Sequence, residues 1–273
     1  MTGLALAATA LAGLALLFAG LFWFARRIEN YGIVDIAWSF AFGALAAYYA
    51  LAANGWPTRR ALIAAMAVTW SLRLGTHLAI RVIGHHPEED GRYRRLREEW
   101  SPHFTAKMAA FFQLQAISVV VLGVAFLVAA ENPTPRLHPL EIAGAVLWLV
   151  AVTAEALADF QLTAFKRNPA NRGQVCNVGL WRYSRHPNYF FEWMIWVAYF
   201  VFALASPWGW CAIVGPLSIL WLLLRVTGIP MTEEQSLRSR GDAYRAYQAT
   251  TSVFVPWFPR TRSLGPAHIN RVP

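Results

Sequence analysis

The chain has 273 residues, of which 57% are hydrophobic and 14% are charged. A soluble domain carries about a quarter charged residues, so this composition excludes an ordinary soluble protein and predicts an integral membrane protein. Only two cysteines are present and no Cys/His spacing fits zinc, so neither a metal site nor a disulfide framework is predicted. The distribution of the net charge of +9 favours membrane orientation and an anionic cofactor over nucleic-acid binding.

Apolar runs near 20 residues, the length that crosses a hydrocarbon core of about 30 Å, recur along the chain. They predict an all-α integral membrane protein with about seven transmembrane helices, in a single membrane domain over residues 1–273. The runs are Leu4–Phe24, Ile33–Ala53, Leu62–Val82, Leu114–Ala130, Ile142–Ala158, Tyr189–Leu204 and Trp210–Gly228.

The cations predict the orientation of these spans. Twenty Lys and Arg fall in the first, third and fifth loops and the tail, counting Arg81 and Arg225 at the ends of their spans, against three in the other loops. Because cytoplasmic loops carry the excess of Lys and Arg, the N-terminus is expected outside and the C-terminus in the cytoplasm. The first run has no cation before it and Arg26-Arg27 after it, unlike a signal peptide, so it is expected to remain in the mature protein.

Polar and aromatic stripes interrupt the second and third spans. A charge inside a bilayer requires a partner, so we predict an ion pair between Asp35 and Arg73, with Arg81 reaching the interface. An alternative is that this pair only locks two helices together. The stripes consist of Tyr31, Asp35 and Trp38 in the second span, and Trp70, Arg73, His77 and Arg81 in the third.

The segment after the fifth span combines cations with aromatic rings. Arginine binds phosphate bidentately and aromatic rings stack on bases, so this chemistry suits a nucleotide, although no glycine-rich nucleotide signature occurs. Asn188 and Glu192 then share one face of the sixth helix, near its positive end. Alternatively the arginines are only membrane anchors, and Glu155 and Asp159 are a solvated helix end.

These motifs together resemble the C-terminal domain of the steroid 5-alpha-reductase family, and more closely its bacterial branch, the DUF1295 proteins. The resemblance covers nearly the whole chain. In the second half it rests on Asp159-Phe160-Gln161, Lys166-Arg167-Asn168-Pro169, Gly179-Leu180-Trp181, Arg185-His186-Pro187-Asn188-Tyr189, Glu192, Gly228-Ile229-Pro230, Glu234, Arg240-Gly241-Asp242-Ala243-Tyr244-Arg245-Ala246-Tyr247, Thr250-Thr251 and Val255-Pro256-Trp257. In the first half it rests on Asp35-Ile36-Ala37-Trp38, Trp70-Ser71-Leu72-Arg73-Leu74, Glu89-Asp90-Gly91-Arg92-Tyr93 and Trp100.

The resemblance implies a membrane reductase that passes hydride from NADPH to an activated carbon–carbon double bond. Residues 140–260 would then be the cofactor-binding half, and residues 1–130 the substrate side. The residues expected around the cofactor are Asp159, Lys166, Arg167, Arg172, Tyr183, Arg185, His186, Asn188, Tyr189, Glu192, Tyr244 and Tyr247.

The substrate side departs from the steroid reductases. Their Gln-Glu pair in the second helix is missing, and Trp70 stands where their third helix has a tyrosine. These departures argue against a steroid itself, and the expected substrate is a lipophilic molecule from the bilayer, of steroid-like or isoprenoid-like type. The catalytic candidates are Asp35, Arg73, Tyr31 and His77, with Asp35 ionised and orienting Arg73 or Tyr31 as the donor.

Two further classes remain open. The Arg-His-Pro-x-Tyr segment and the Tyr-x-x-Tyr tail also resemble membrane methyltransferases for isoprenylcysteine and phospholipid amines, which bind S-adenosylmethionine. A non-enzymatic protein that binds membrane lipids or acts as a scaffold is the other class. Under the reductase interpretation, the protein is expected in the bacterial inner membrane with its active site facing the cytoplasm.

Overall fold

The computed structural model describes residues 2–84, 89 and 91–260, and within these ranges the chain is helical and has no β-strand. This confirms the all-α prediction. The described residues form ten α-helices, three short 3₁₀ helices, all after α7, and one π-helical turn, Leu222–Val226, which precedes the last helix. The helices are α1 Gly3–Arg27, α2 Ile33–Ala52, α3 Pro57–Gly84, α4 Gly91–Glu99, α5 Phe104–Leu122, α6 Val124–Glu131, α7 Pro139–Arg167, α8 Pro187–Ala203, α9 Val214–Trp221 and α10 Ile229–Thr250.

Six helical stretches of the described chain are long and apolar enough to cross a membrane. The sixth is apolar in its first part and ends in α10, a polar helix rich in charged residues that lies outside the apolar span. The predicted sixth span corresponds to α8, which at 17 residues is shorter than the other candidates. The six stretches are Gly3–Arg27, Ile33–Ala52, Pro57–Gly84, Phe104–Glu131, Pro139–Arg167 and Gly209–Thr250.

The chain divides into two compact units, and their limits differ from the predicted halves. The first unit comprises Met1–Trp148 and Trp196–Ser218, and the second comprises Leu149–Ile195 and Ile219–Pro273. The predicted cofactor residues all fall in the second unit, and the four catalytic candidates all fall in the first.

An aromatic cluster forms the core of the first unit. The Phe42 and Trp70 rings meet edge to face at 5.6 Å, and Trp196 packs against both, at 5.2 and 5.3 Å. Trp148 donates from Nε1 to the hydroxyl of Tyr199 at 3.0 Å. Trp70 is completely buried in this cluster, so its place in the third-helix stripe reflects core packing.

Close packing of α2 against α3 positions the polar stripe. The Gly43 amide donates to Ser71 Oγ at 3.1 Å, and Ser71 Oγ donates to the Ser39 carbonyl at 2.6 Å. A Cβ on Gly43 would lie 2.7 Å from Ser71 Oγ, so this approach requires glycine.

A buried ion pair in the first unit joins the start of α3 to the start of α7 and to the loop between α6 and α7. Arg59 binds Glu141, and both side chains are almost completely buried. Arg59 also donates to three backbone carbonyls, and Glu141 accepts from the His138 amide at 2.7 Å. In the sequence, Arg59 is only one of the cations of the second loop, and no pattern assigned a role to Glu141. The three carbonyls belong to Asn132, Thr134 and Arg136.

Helix α10 in the second unit bends at a glycine. Gly241 has φ 50° and ψ −120°, a backbone conformation that side-chain-bearing residues rarely adopt. The residues after this kink return to the segment before α8, where the Tyr247 hydroxyl donates to the carbonyls of Trp181 and Ser184. The Ser184 hydroxyl in turn donates to the Phe254 carbonyl at 2.8 Å.

Candidate functional site

The first polar cluster surrounds Asp35 in the first turn of α2. Asp35 Oδ2 accepts from Arg92 at 2.7 Å, and Oδ1 accepts from the Tyr93 hydroxyl at 2.9 Å. Tyr93 is buried, whereas the Arg92 side chain keeps about 30% of its exposure. The cluster therefore holds a paired carboxylate and a phenol next to a partly solvated cation.

The predicted Asp35–Arg73 ion pair is wrong. Helix α4 reads in the sequence as a charged cytoplasmic loop, yet it supplies both partners of the Asp35 carboxylate. A carboxylate satisfied by a guanidinium and a hydroxyl needs no further cation. Arg73 and His77 are both half-buried and lie one turn apart on α3.

Tyr31 lies in an aromatic environment instead of joining Asp35. Its ring packs against Phe104 at 5.2 Å and Phe112 at 6.2 Å, and the Arg97 guanidinium lies 5.5 Å from the ring centroid. Its amide donates to Glu89 Oε1 at 3.0 Å. Burial raises the pKa of the Tyr31 phenol, so it is a weaker acid here than in water. Asp90, in the same sequence motif as Glu89, lies outside the described residues.

The second polar cluster joins the end of α7 to the start of α8. Asn188 donates from Nδ2 to Asp159 Oδ1 at 3.1 Å, so two residues predicted to contact the cofactor lie side by side. Asn188 Oδ1 is buried and accepts no hydrogen bond from the described residues. Glu192 is half-buried one turn further along the same face of α8. A buried amide oxygen costs free energy unless it accepts a hydrogen bond, so a donor from a water molecule or a ligand would fit at this atom.

A third cluster centres on Glu233, in the first turns of α10. Its carboxylate accepts from Arg185 Nε at 2.6 Å, from Gln248 Nε2 at 2.9 Å and from the Tyr244 hydroxyl at 3.4 Å, with His186 Nε2 at 3.3 Å. Arg185 also donates to two backbone carbonyls near the end of α10. Arg185, His186 and Tyr244 were predicted to contact the cofactor, and the structure brings them together around this carboxylate.

Burial and charge set the protonation of this third cluster. Burial alone would raise the pKa of Glu233, but hydrogen bonds from His186, Arg185 and Gln248 outweigh it and lower this pKa to about 2. Burial lowers the pKa of His186 against the opposing effect of Glu233, so the imidazole is neutral near pH 7. A neutral imidazole next to a carboxylate is expected to carry its proton on Nε2 and donate it to Glu233.

The remaining predicted cofactor residues are distributed around the second unit. Three cations, Lys166, Arg167 and Arg172, are exposed, as is Tyr183. Tyr189 shares a hydrogen bond with Thr232 at 3.1 Å, and its ring stacks on the His186 ring at 5.4 Å. The exposed cations suit an anionic group approaching from water.

Sequence analysis missed Glu233 and gave no role to Arg92 and Tyr93. The available signal for Glu233 was a pair of adjacent glutamates three residues after Gly228-Ile229-Pro230, near the start of a helix that also carries tyrosines. Arg92 and Tyr93 could have been suspected as a cation and a phenol in an otherwise unassigned polar segment. Among the described residues, no group of three or more His, Cys, Asp and Glu side chains could hold a metal ion.

The described residues combine an all-α fold with six apolar helices of membrane-spanning length, which is consistent with an α-helical membrane protein. The sequence model of one family, described as a protein of unknown function (DUF1295), matches residues 21–251. The chain therefore belongs to the DUF1295 family, which confirms that part of the resemblance. Neither the curated proteins nor the solved structures contain a match to this chain.

Proposed function

We propose that this protein is a membrane reductase that transfers hydride from NADPH to an activated carbon–carbon double bond of a lipophilic enone. The observation that carries the proposal is the buried Asn188 Oδ1, which accepts no hydrogen bond within the described chain. The carboxamide N–H of a nicotinamide is a donor of the required kind. Asp159 supports this role because it fixes the Asn188 side chain through Nδ2, which directs Oδ1 toward the ligand.

The choice of NADPH over NADH rests on the exposed cations of the second unit. Arginine and lysine bind phosphate oxygens through charge-assisted hydrogen bonds, and the 2′-phosphate is the group that distinguishes NADPH. Arg167 and Arg172 are exposed at the end of α7 and beyond it, where a phosphate can approach from water. Arg185 is held by Glu233, so it acts in this proposal by positioning the segment before α8.

The Asp35 cluster contains the groups proposed to activate the substrate. Bound NADPH would supply a hydride to the β carbon of the enone, negative charge would develop on the carbonyl oxygen, and a proton from water would complete the saturated ketone. A donor aimed at that oxygen stabilises the transition state by several kcal/mol, on the order of 3. Tyr93 is the proposed donor because a hydroxyl can turn from Asp35 to a substrate oxygen while Arg92 keeps the carboxylate paired.

Alanine variants at Asn188 and Glu192 test the proposed cofactor site. Each is expected to weaken NADPH binding more than tenfold, that is by more than about 1.4 kcal/mol, because each removes a polar group that faces the nicotinamide. Equilibrium titration of NADPH into detergent-purified protein measures the affinity. Arg238→Ala is a suitable control, since this exposed arginine pairs with its neighbour Glu234 on α10, away from Asn188 and Glu192 in the sequence. Wild-type affinity in both site variants would contradict the site.

A second candidate function is an S-adenosylmethionine-dependent methyltransferase. The observation that favours it is the contact of Arg185 and His186 with Glu233, because the resemblance to the membrane methyltransferases rests on the Arg-His-Pro segment and the glutamate-containing tail. We rank it second, since those enzymes typically lack the Asp-x-Gln segment and the basic Asn-Pro stretch that are present here.

The proposed topology has seven transmembrane helices, with α8 as the sixth, the N-terminus outside and the C-terminus in the cytoplasm of a bacterial cell. It is supported by the excess of Lys and Arg in alternate loops. Reporter fusions at residues 57 and 135 should read as periplasmic. A cytoplasmic signal at either position would contradict this orientation and the cytoplasmic placement of the cofactor site.

The direct test of the proposed function is NADPH-dependent reduction of a lipophilic enone by the purified protein. Steroidal and isoprenoid enones are the substrates to compare, because the resemblance is to steroid reductases while the substrate half departs from them. Oxidation of NADPH that depends on the enone supports the proposal. Methyl transfer from S-adenosylmethionine, with no NADPH oxidation, would replace it with the second candidate.

A further inference from the structure

The outer face of the first unit contains a groove between α1 and α5, two helices that pack against each other. It has a volume of about 330 Å³ and is lined by Ala19, Phe22, Trp23, Ala109, Ala110 and Gln113. Three alanines and two aromatic side chains form the apolar part of this lining, and Gln113 donates to the Ala15 carbonyl at 3.3 Å. The lining is thus apolar with one satisfied amide, which suits a hydrocarbon chain.

Cations lie at one end of this groove on both helices. Arg26 follows Trp23 by three residues, and its guanidinium lies 5.6 Å from the Trp23 ring centroid. Lys107 precedes Ala110 by three residues, so it lies on the same face of α5 one turn away, and its side chain is exposed. The end of α1 and the start of α5 lie close together, because the ring of Tyr31, four residues after α1, is 5.2 Å from the ring of Phe104, the first residue of α5.

The local charge at this end is positive. Arg27 adds a further exposed cation in the last turn of α1, and Glu29 contributes one carboxylate two residues later. An apolar groove that ends at exposed Arg and Lys side chains near a membrane surface matches the arrangement of an acyl chain and an anionic headgroup. Trp23, which is exposed, is of the residue type that prefers the headgroup level.

We propose that this groove binds an anionic phospholipid of the surrounding bilayer, with one acyl chain against the three alanines and the phosphate bound by Arg26 and Lys107. The site belongs to the first unit alone and does not depend on the proposed reductase activity. Its ligand class is set by the charge at the groove's end, since a zwitterionic headgroup would gain less from two cations.

Native mass spectrometry of the delipidated protein tests this site with two probes, dioleoyl phosphatidylglycerol and dioleoyl phosphatidylcholine. Wild-type protein is expected to bind the phosphatidylglycerol about tenfold more tightly than the phosphatidylcholine. Ala110→Trp fills the groove at an exposed position and should weaken that binding about tenfold. The double variant Arg26→Gln/Lys107→Gln should bind both lipids equally.

Matched controls use changes of the same kind elsewhere. Ala44→Trp fills a second groove, between α2 and α3, at another exposed alanine, and should leave the preference unchanged. Arg238→Gln/Arg245→Gln removes two exposed cations from α10 and should do the same. Equal binding of the two lipids by wild-type protein would overturn the proposal. Wild-type affinity for phosphatidylglycerol in the groove variant would also overturn it, as would wild-type preference in the charge variant.

Discussion

Asp35→Asn is expected to lower enone turnover at least ~100-fold while leaving the affinity for NADPH unchanged. The substitution keeps the shape of the side chain but removes the negative charge that Arg92 and Tyr93 both bind. Without it, the Tyr93 hydroxyl loses its fixed position, and the Arg92 guanidinium loses its counter-ion. Steady-state kinetics with a lipophilic enone and a separate NADPH titration measure the two effects.

Tyr93→Phe should reproduce most of this loss, because it removes the proposed donor and leaves the Asp35–Arg92 pair intact. Tyr48→Phe is the matched control, since it removes a phenolic hydroxyl at the other end of α2, where the partner is Thr9. If Tyr93 is the donor, Arg73→Met should lower enone turnover less than Tyr93→Phe does. Wild-type turnover in both Asp35→Asn and Tyr93→Phe would show that the cluster only joins α4 to α2.

Glu141→Gln is expected to lower the free energy of unfolding by about 3–5 kcal/mol. The carboxylate is completely buried against Arg59, so removing its charge leaves an uncompensated guanidinium in the protein interior. Arg59, which donates to three carbonyls of the loop between α6 and α7, then loses the carboxylate that fixes its position. Denaturant unfolding in detergent, followed by tryptophan fluorescence or circular dichroism, measures the change.

The double variant Arg59→Met/Glu141→Leu should recover much of that stability, because apolar replacement of a whole buried pair costs less than breaking it. Glu234→Gln provides the comparison at the surface, where its pair with Arg238 is exposed and worth about 0–1 kcal/mol. A loss at Glu141 no larger than the loss at Glu234 would contradict a structural role for the buried pair.

The sequence predicted the helical class and most of the apolar segments because lipid requires long uninterrupted hydrophobic runs. It did not predict the partner of Asp35. The helical spacing favoured Arg73, whereas α4 carries its charges in a short polar helix with no apolar periodicity, which reads as a loop. Periodicity reports which residues share a face and not which distant segment will pack against that face.

The candidate cofactor site shows the same limit. Motif similarity brought Asp159 and Asn188 into one hypothesis, and the structure places them in contact. Motif similarity gave no role to Glu233, although its carboxylate binds Arg185 and His186 in the structure. A residue that binds other protein side chains leaves little trace in a pattern read for ligand contacts, so its role becomes visible only in the folded chain.

Equilibrium binding of NADPH and of S-adenosylmethionine to the wild-type protein in detergent tests the central proposal most directly. A reductase with the proposed site binds NADPH tightly, binds NADH more weakly, and does not respond to S-adenosylmethionine. Tight binding of S-adenosylmethionine without NADPH would favour the methyltransferase. Failure to bind either ligand would contradict both enzymatic proposals and leave a membrane protein that binds lipids or acts as a scaffold.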